Sequence, residues 1–429
     1  MMKVIQYPSK ETWGQILSRP EIDLSDLHDT VRGVIADVRT GGDAMVAHYT
    51  KLYDFPEGCE LKVSKSEIAR AGEQLSDELK TAIKVAAQNI RSFHAPQLPQ
   101  DYELETMPGV HCARRTYPID RVGLYIPGGT APLFSTVLML GIPAGLAGCK
   151  TKVICTPPNK EGKIHPAILY AAQVAGIEDI YRVGGIQAVA AMAYGTETIP
   201  KVDKIAGPGN RYVTAAKQLI SLSQTAIDMP AGPSEVEVIA DEEANPAFVA
   251  ADLLSQAEHG TDSQVLLITD SPKLIERVQV ELERQLALLP RCEFAKPSLE
   301  KSKIILMRDW DSIMEMTNEY APEHLIIQTR NYRQLAEQVR NAGSVFLGAY
   351  TPESAGDYAS GTNHTLPTSG YARSYSGVGI ETFTKQITFQ QMTEDGFRTL
   401  APTLELMAET EQLEAHRQAV SVRAHTLSQ

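Results

Sequence analysis

The sequence predicts an α/β fold, with two α/β regions in series between helical segments. Three observations carry that reading. Short apolar runs alternate with Ala-rich helical segments once the chain has passed Pro118. Glycine-rich turns follow directly on several of those runs. The stretches before and after the alternating region instead show apolar residues at three- and four-residue steps with charges between them. Alternating strands and helices build a parallel sheet with crossover helices.

In chain order, roughly the first hundred residues read as helical, with the clearest periodicity over 24–50 and 63–93. Strand candidates follow at 122–126, 152–155, 179–183, 204–205 and 235–240, separated by apolar helical stretches such as 168–175, 187–193 and 213–222. The second region alternates helix 246–259, strand 264–269, helix 272–288 and strand 303–307. It continues with helix 310–318, strand 324–328, helix 332–342 and strand 344–347. The chain turns helical again over 390–397 and 404–424. No internal repeat stands out.

A chain of 429 residues holds two or more domains and enough core to need neither disulfides nor a structural metal. Its formal charge of −13 argues against nucleic acid and against anionic membranes, since both recruit basic patches. The N-terminus lacks the apolar core of a signal peptide, and no apolar run is long enough to span a bilayer. Five scattered cysteines, an odd number, fit a reducing cytoplasm. Cys149 and Cys155 match no zinc-hook spacing and read as small core residues.

The residues 343–364, GSVFLGAYTPESAGDYASGTNH, concentrate candidate chemistry. A short strand enters a Gly/Ser/Thr loop bearing Glu353, Asp357, Asn363 and His364. Such a loop suits the rim of a site at the carboxyl ends of strands. In NPAFVAADLLSQAEHG, Asn245 caps a helix, Pro246 suits its first position and Gly260 stops it. Val249, Leu253 and Gln256 share one side, so Gln256 interrupts an apolar stripe, with His259 one turn on. That end could bind a metal or polar ligand, or could be a capped terminus with the imidazole on a carbonyl. Glu323 and His324 are adjacent at a strand entry and, on extended backbone, point to opposite faces. They are either an acid–base pair or a surface carboxylate beside a strand-capping histidine. Glu411 and His416 lie about 140° apart on a straight helix, so either the helix breaks or only one points inward. The turns YIPGG, VGGIQA and AGPGN could approach phosphate with backbone N–H groups, or be ordinary βα turns. Neither GxGxxG nor a Walker motif occurs.

Taken together, YIPGGTAPLFSTVLM, VGGIQAVAAMAYGTE, KIAGPGN, MPAGPSE, SQAEHG, PEHL and SAGDYASGTNH stand in the order seen in the histidinol dehydrogenase family, and the chain resembles that family over nearly its whole length. The resemblance implies NAD-dependent, four-electron oxidation of L-histidinol through L-histidinal to L-histidine, the last two steps of histidine biosynthesis. It implies one Zn²⁺ per subunit, held by Gln256, His259, Asp357 and His416 together with substrate nitrogens. Glu323 and His324 are the implied acid–base residues, His324 taking the alcohol proton and Glu323 activating water on the aldehyde. Implied substrate contacts are Ser234, His364 and Glu411 along with His324 and the metal ligands, and implied NAD contacts are Tyr125, Gln187 and Asn210.

The family fold implied is two incomplete Rossmann-like domains with smaller terminal pieces, in an intertwined homodimer whose C-terminal segment reaches the partner's site. The corresponding boundaries are 1–22, 23–121 with 236–376, 122–235, and 377–429. Rival readings are a paralogue oxidising another small polar alcohol such as a sulfonated diol, a zinc hydrolase using Glu323, or a non-catalytic binder. Retention of Glu411, His364 and the four ligand positions favours histidinol, and the glycine turns favour redox chemistry.

Overall fold

A computed structural model describes residues 2–19, 27–128, 131–223, 225–229 and 232–427. The start of the helical stretch expected from residue 24, Gly129 of YIPGG, and Pro230 and Ala231 of MPAGPSE lie outside the described residues. The strands are β1 (Lys3–Gln6), β2 (Tyr102–Met107), β3 (Val110–Pro118), β4 (Arg121–Tyr125), β5 (Thr151–Thr156), β6 (Asp179–Arg182) and β7 (Lys204–Ala206). They continue with β8 (Ala226–Ile227), β9 (Glu235–Ala240), β10 (Gln264–Thr269), β11 (Lys303–Leu306), β12 (His324–Gln328), β13 (Ser344–Leu347) and β14 (Thr384–Met392).

The described chain forms two compact units, Met1–Gln97 with Ile119–Phe383, and Leu98–Pro118 with Thr384–Gln429. The larger unit holds two sheets whose pairings are all parallel. One runs β6-β5-β4-β7-β8 and the other β1-β11-β10-β9-β12-β13. Renumbered from its first central strand, each reads 3-2-1-4-5, the Rossmann order without its sixth strand, and β1 adds an extra edge to the second. The sequence supports this locally. Strands β9, β10 and β12 are buried at every position, as parallel strands covered on both faces must be. The helix Phe134–Ala147 is apolar nearly all round and buried beside β4.

The smaller unit has an antiparallel sheet, β14-β3-β2, and the helices Glu394–Thr410 and Glu414–Leu427. Three features depart from the sequence reading. β1 extends a sheet where helix was expected, β2 and β3 occupy a stretch left without strands, and residues 390–392 finish β14 instead of starting a helix. The helix starts after them at Glu394, with Thr393 accepting from the Gly396 N–H as its cap. The C-terminal helix does break: Gln412 is left-handed (φ 58°) between Glu411 and the helix bearing His416. No helix among the described residues is long and apolar enough to cross a membrane.

Candidate active site

Residues at the amino ends of β9 and β12 form a cluster of buried ionisable groups. Crossover helices run antiparallel to the strands they connect, so the C-terminal end of Pro246–Ala257 returns to that same edge. Gln256 arrives there fully buried, on the same stripe as Val249 and Leu253, as its spacing indicated. Its amide nitrogen faces Glu353, donating to both carboxylate oxygens (3.3 Å to Oε2), and its oxygen accepts from Glu235 N–H at 3.3 Å. The opposite orientation would set oxygen against carboxylate.

The loop expected over 343–364 conceals a short helix, Glu353–Tyr358, which sets Glu353 and Asp357 one turn apart on one face. Glu353 was named among the acids of that loop but given no role by sequence reasoning. Its signal was the i, i+4 acid spacing behind Pro352, hidden by the loop-like composition. The expected rim at carboxyl strand ends is likewise corrected for this sheet, because Asp357 meets His324 at the amino end of β12.

Glu323 and His324 do not diverge. Glu323 precedes the strand, so the alternation of side chains does not govern it, and its Oε2 lies 3.6 Å from His324 Nδ1. Both residues are buried. Glu323 Oε2 accepts the Glu235 N–H at 2.8 Å, and the Glu235 carbonyl lies 3.1 Å from His324 Nδ1. A carbonyl only accepts, so Nδ1 carries hydrogen and Nε2 keeps a lone pair in the neutral ring. That Nε2 has no hydrogen-bond partner and sits 3.6 Å from Asp357 Oδ1.

Three carboxyl groups, Glu323, Glu353 and Asp357, surround the imidazole of His324. Burial pushes Glu323 up to about 8, opposed by the charge of His324, and raises Glu353 for the same reason. Burial alone would lower His324, but Glu353, Glu323 and Asp357 outweigh it and push the imidazole up to about 10. Asp357 is held below its ordinary value despite burial, by the adjacent His324 imidazole and the nearby His364 and His259. With all three carboxyls ionised the site would hold more negative charge than one imidazolium balances, which is why protons are held so tightly here. His324, Glu353 and Asp357 can each offer a ligand atom within 4.8 Å of one another. Nitrogen and oxygen donors of this kind fit a divalent cation, whose charge would relieve His324 of balancing the carboxylates alone.

The remaining sequence candidates fall in three places. Ser234 immediately precedes β9, and its carbonyl accepts from Gln264 N–H. His259 follows the buried helix end, exposed in this chain, with protein behind its ring lowering its pKa against the pull of Asp357. His364 Nδ1 meets the Asp357 carbonyl at 2.8 Å, and its Nε2 lies 3.1 Å from Thr136 Oγ1. Thr136 is in the first turn of the helix that follows β4, so this contact joins the amino edge of one sheet to the carboxyl edge of the other.

At that carboxyl edge stand Tyr125, ending β4, Gln187, in the helix after β6, and Asn210, after β7. Tyr125 and Asn210 flank the point where strand order reverses, the usual ligand crevice of such sheets. The Tyr125 hydroxyl accepts Gly185 N–H, and Gln187 Nε2 donates to Asp54, which sequence reasoning did not single out. Asn210 caps its helix through Tyr212 and Val213 N–H. Glu411 and His416 belong to the smaller unit, both exposed, on either side of the helix break.

Comparison with known proteins identifies the family and the fold. The family model for histidinol dehydrogenase matches residues 17–424. The chain is 60% identical over 427 residues to the histidinol dehydrogenase of Bacteroides thetaiotaomicron, covering 100% of both proteins. It is 53% identical to that of Escherichia coli K12, over 97% of this chain and 95% of that one. The crystal structure of histidinol dehydrogenase from Elizabethkingia anophelis superposes with a TM-score of 0.96 at 51% identity, covering 100% of this chain and 99% of that one. A match of such length, on a chain whose acid–base candidates are buried together, assigns the protein: it is an oxidoreductase that belongs to the histidinol dehydrogenase family.

Proposed function

We propose that the chain oxidises L-histidinol to L-histidine through L-histidinal, passing two hydrides in succession to two NAD⁺. The observation that carries the reading is the buried His324, with Nδ1 turned to a carbonyl and Nε2 unpartnered beside Asp357. In the first half-reaction His324 Nε2, its ring neutral once added positive charge offsets the carboxylates that push it up to about 10, takes the hydroxyl proton while the carbinol carbon gives up its hydride. In the second, Glu323 takes a proton from the water that adds to the aldehyde, and the hydrate then loses its second hydride. The balance is one alcohol, one water and two NAD⁺ giving one carboxylate, two NADH and three protons. NAD supplies the hydride acceptor, with Tyr125, Gln187 and Asn210 proposed to hold it.

Zinc is the proposed metal, held by Gln256, His259 and Asp357 together with His416 of a second copy in a homodimer. When bound it supplies positive charge and grips substrate nitrogen. A Gln oxygen is a weak zinc ligand, which suits a site that must release its product. Asp357 is common to this ligand set and to the His324–Glu353–Asp357 trio. No observation favours the sulfonated diol or another small polar alcohol as substrate. The test is NADH formed per L-histidinol consumed, before chelation, after it, and after zinc add-back. Two NADH, lost on chelation and restored by zinc, is expected. One NADH, or none, refutes the reading.

A further inference from the structure

Glu235, the first residue of β9, touches both proposed acid–base residues through its main chain. Its N–H holds the Glu323 carboxylate and its carbonyl sets the His324 tautomer. One peptide segment therefore fixes the aim of both groups, and whatever fixes that segment fixes the pair. Its side chain is anchored from the N-terminal segment of the protein. The buried Glu235 carboxylate receives Arg19 Nε at 2.5 Å and Nη2 at 2.9 Å, a two-pronged pairing. It also accepts Ser369 N–H at 2.8 Å.

The same guanidinium reaches the turn that delivers Glu323 and His324. Nη2 donates to the Tyr320 carbonyl at 2.6 Å, and the guanidinium carbon lies 4.0 Å from the Tyr320 ring centroid. Next comes Ala321, left-handed at φ 53°, then Pro322 and Glu323. Tyr320 donates its hydroxyl to Gln264, whose amide returns to the Ser18 carbonyl. Arg19 thus ties together the two backbone segments whose mutual hydrogen bonds orient the pair.

We infer that Arg19, acting through Glu235, is a positioning residue for proton transfer, a deduction that rests on the assignment of Glu323 and His324 to that role. A purely structural ion pair predicts a different result. Such a pair affects stability and leaves turnover by the folded enzyme alone. Positioning affects turnover while substrate and metal binding persist, because misplacement of reacting groups by an ångström costs up to about a hundredfold.

The experiment compares wild type, R19K, R19M/E235Q and H324N as zinc-loaded enzymes with L-histidinol and NAD. Zinc content, melting temperature, kcat and KM are measured for each. The double variant removes both charges together, so no unpaired ion stays buried, and the amide oxygen that E235Q introduces still accepts from Ser369 N–H. Expected is full zinc content, KM within about threefold, and kcat about 10- to 100-fold lower, with R19K between the two. A folded, zinc-replete double variant with wild-type kcat overturns the inference. Should the double variant not fold, R19K decides by the same split, since lysine keeps the charge and loses the fork. There, lower kcat at unchanged KM supports the inference and unchanged kcat overturns it. H324N separates the two levels. If it is fully active, the acid–base assignment has failed. If it is inactive while the double variant is fast, only the Arg19 clamp has failed.

Discussion

Replacing Glu237 by glutamine should make the protein more resistant to unfolding in alkali and somewhat less resistant in acid. Glu237 is fully buried in β9, two residues beyond Glu235. Its Oε1 accepts the Thr317 hydroxyl, and its Oε2 has no partner. Burial pushes its carboxyl up to about 8, opposed by the Thr317 hydrogen bond and by Arg19. The folded state thus binds the proton more tightly than the unfolded state, whose carboxyl titrates near 4.5. Stability from this group is full below about pH 4.5, falls as pH rises, and levels off above about pH 8. The span of about 3.5 pH units corresponds to about 5 kcal/mol, of which about 3 kcal/mol is already lost at pH 7. Glutamine cannot ionise, and its oxygen can still accept from Thr317. Its amide leaves one unpartnered group, costing about 1–3 kcal/mol at every pH. The readout is therefore the difference in urea unfolding free energy between variant and wild type across pH 4.5–9. It should rise toward E237Q by several kcal/mol. Parallel curves would refute a neutral buried Glu237.

Two further outcomes test other parts of the molecule. If His416 serves the partner's site, two inactive variants, H324N and H416N, refolded together in equal amounts should recover about a quarter of wild-type sites, because each mixed dimer regains one intact site. Failure to regain activity in demonstrated mixed dimers would contradict site sharing. Lys217 is buried, donates to the Gly207 carbonyl at 2.8 Å and pairs with the buried Asp228, which also accepts Gly207 N–H. K217M strands that carboxylate and should cost about 3–5 kcal/mol in chemical unfolding, with KM for NAD rising more than KM for histidinol. An unaltered unfolding midpoint would count against it.

The legible strands were those in parallel sheets, because burial on both faces writes a continuous apolar run such as VLLI in β10. The antiparallel strands were not legible. YELETM in β2 and TKQITFQQM in β14 are largely exposed in this chain, so no core demanded an apolar face. The pairing of β14 with β3 also joins segments hundreds of residues apart. Gln256 was readable because a polar residue on an apolar helical stripe is an anomaly. Glu353 was visible as an acid of the candidate loop, but the short helix that sets it one turn from Asp357 was not, because glycines and serines read as loop. Arg19 was beyond reach of pattern, since it meets Glu235 across 216 positions.

Both sheets share one strand order, yet they present opposite edges to the site, and the chemistry at each edge differs accordingly. At the carboxyl edge beyond β4 and β7, turns of glycine and side chains at helix starts leave room for a ligand to approach backbone. At the amino edge of β9 and β12, the proposed acid–base groups are wired into the first positions of the sheet itself. Glu235 pairs with Gln264 on one side of β9 and Val236 with His324 on the other, so a shift of these strands would move the acid–base pair as well. At the start of β9 the Glu235 N–H goes to the Glu323 carboxylate, and the Glu235 carbonyl meets His324 Nδ1. A loop could supply the same two side chains but not the same two fixed partners. On the proposed assignment, proton transfer falls at the amino edge of one sheet and the dinucleotide at the carboxyl edge of the other, two sheets of one strand order.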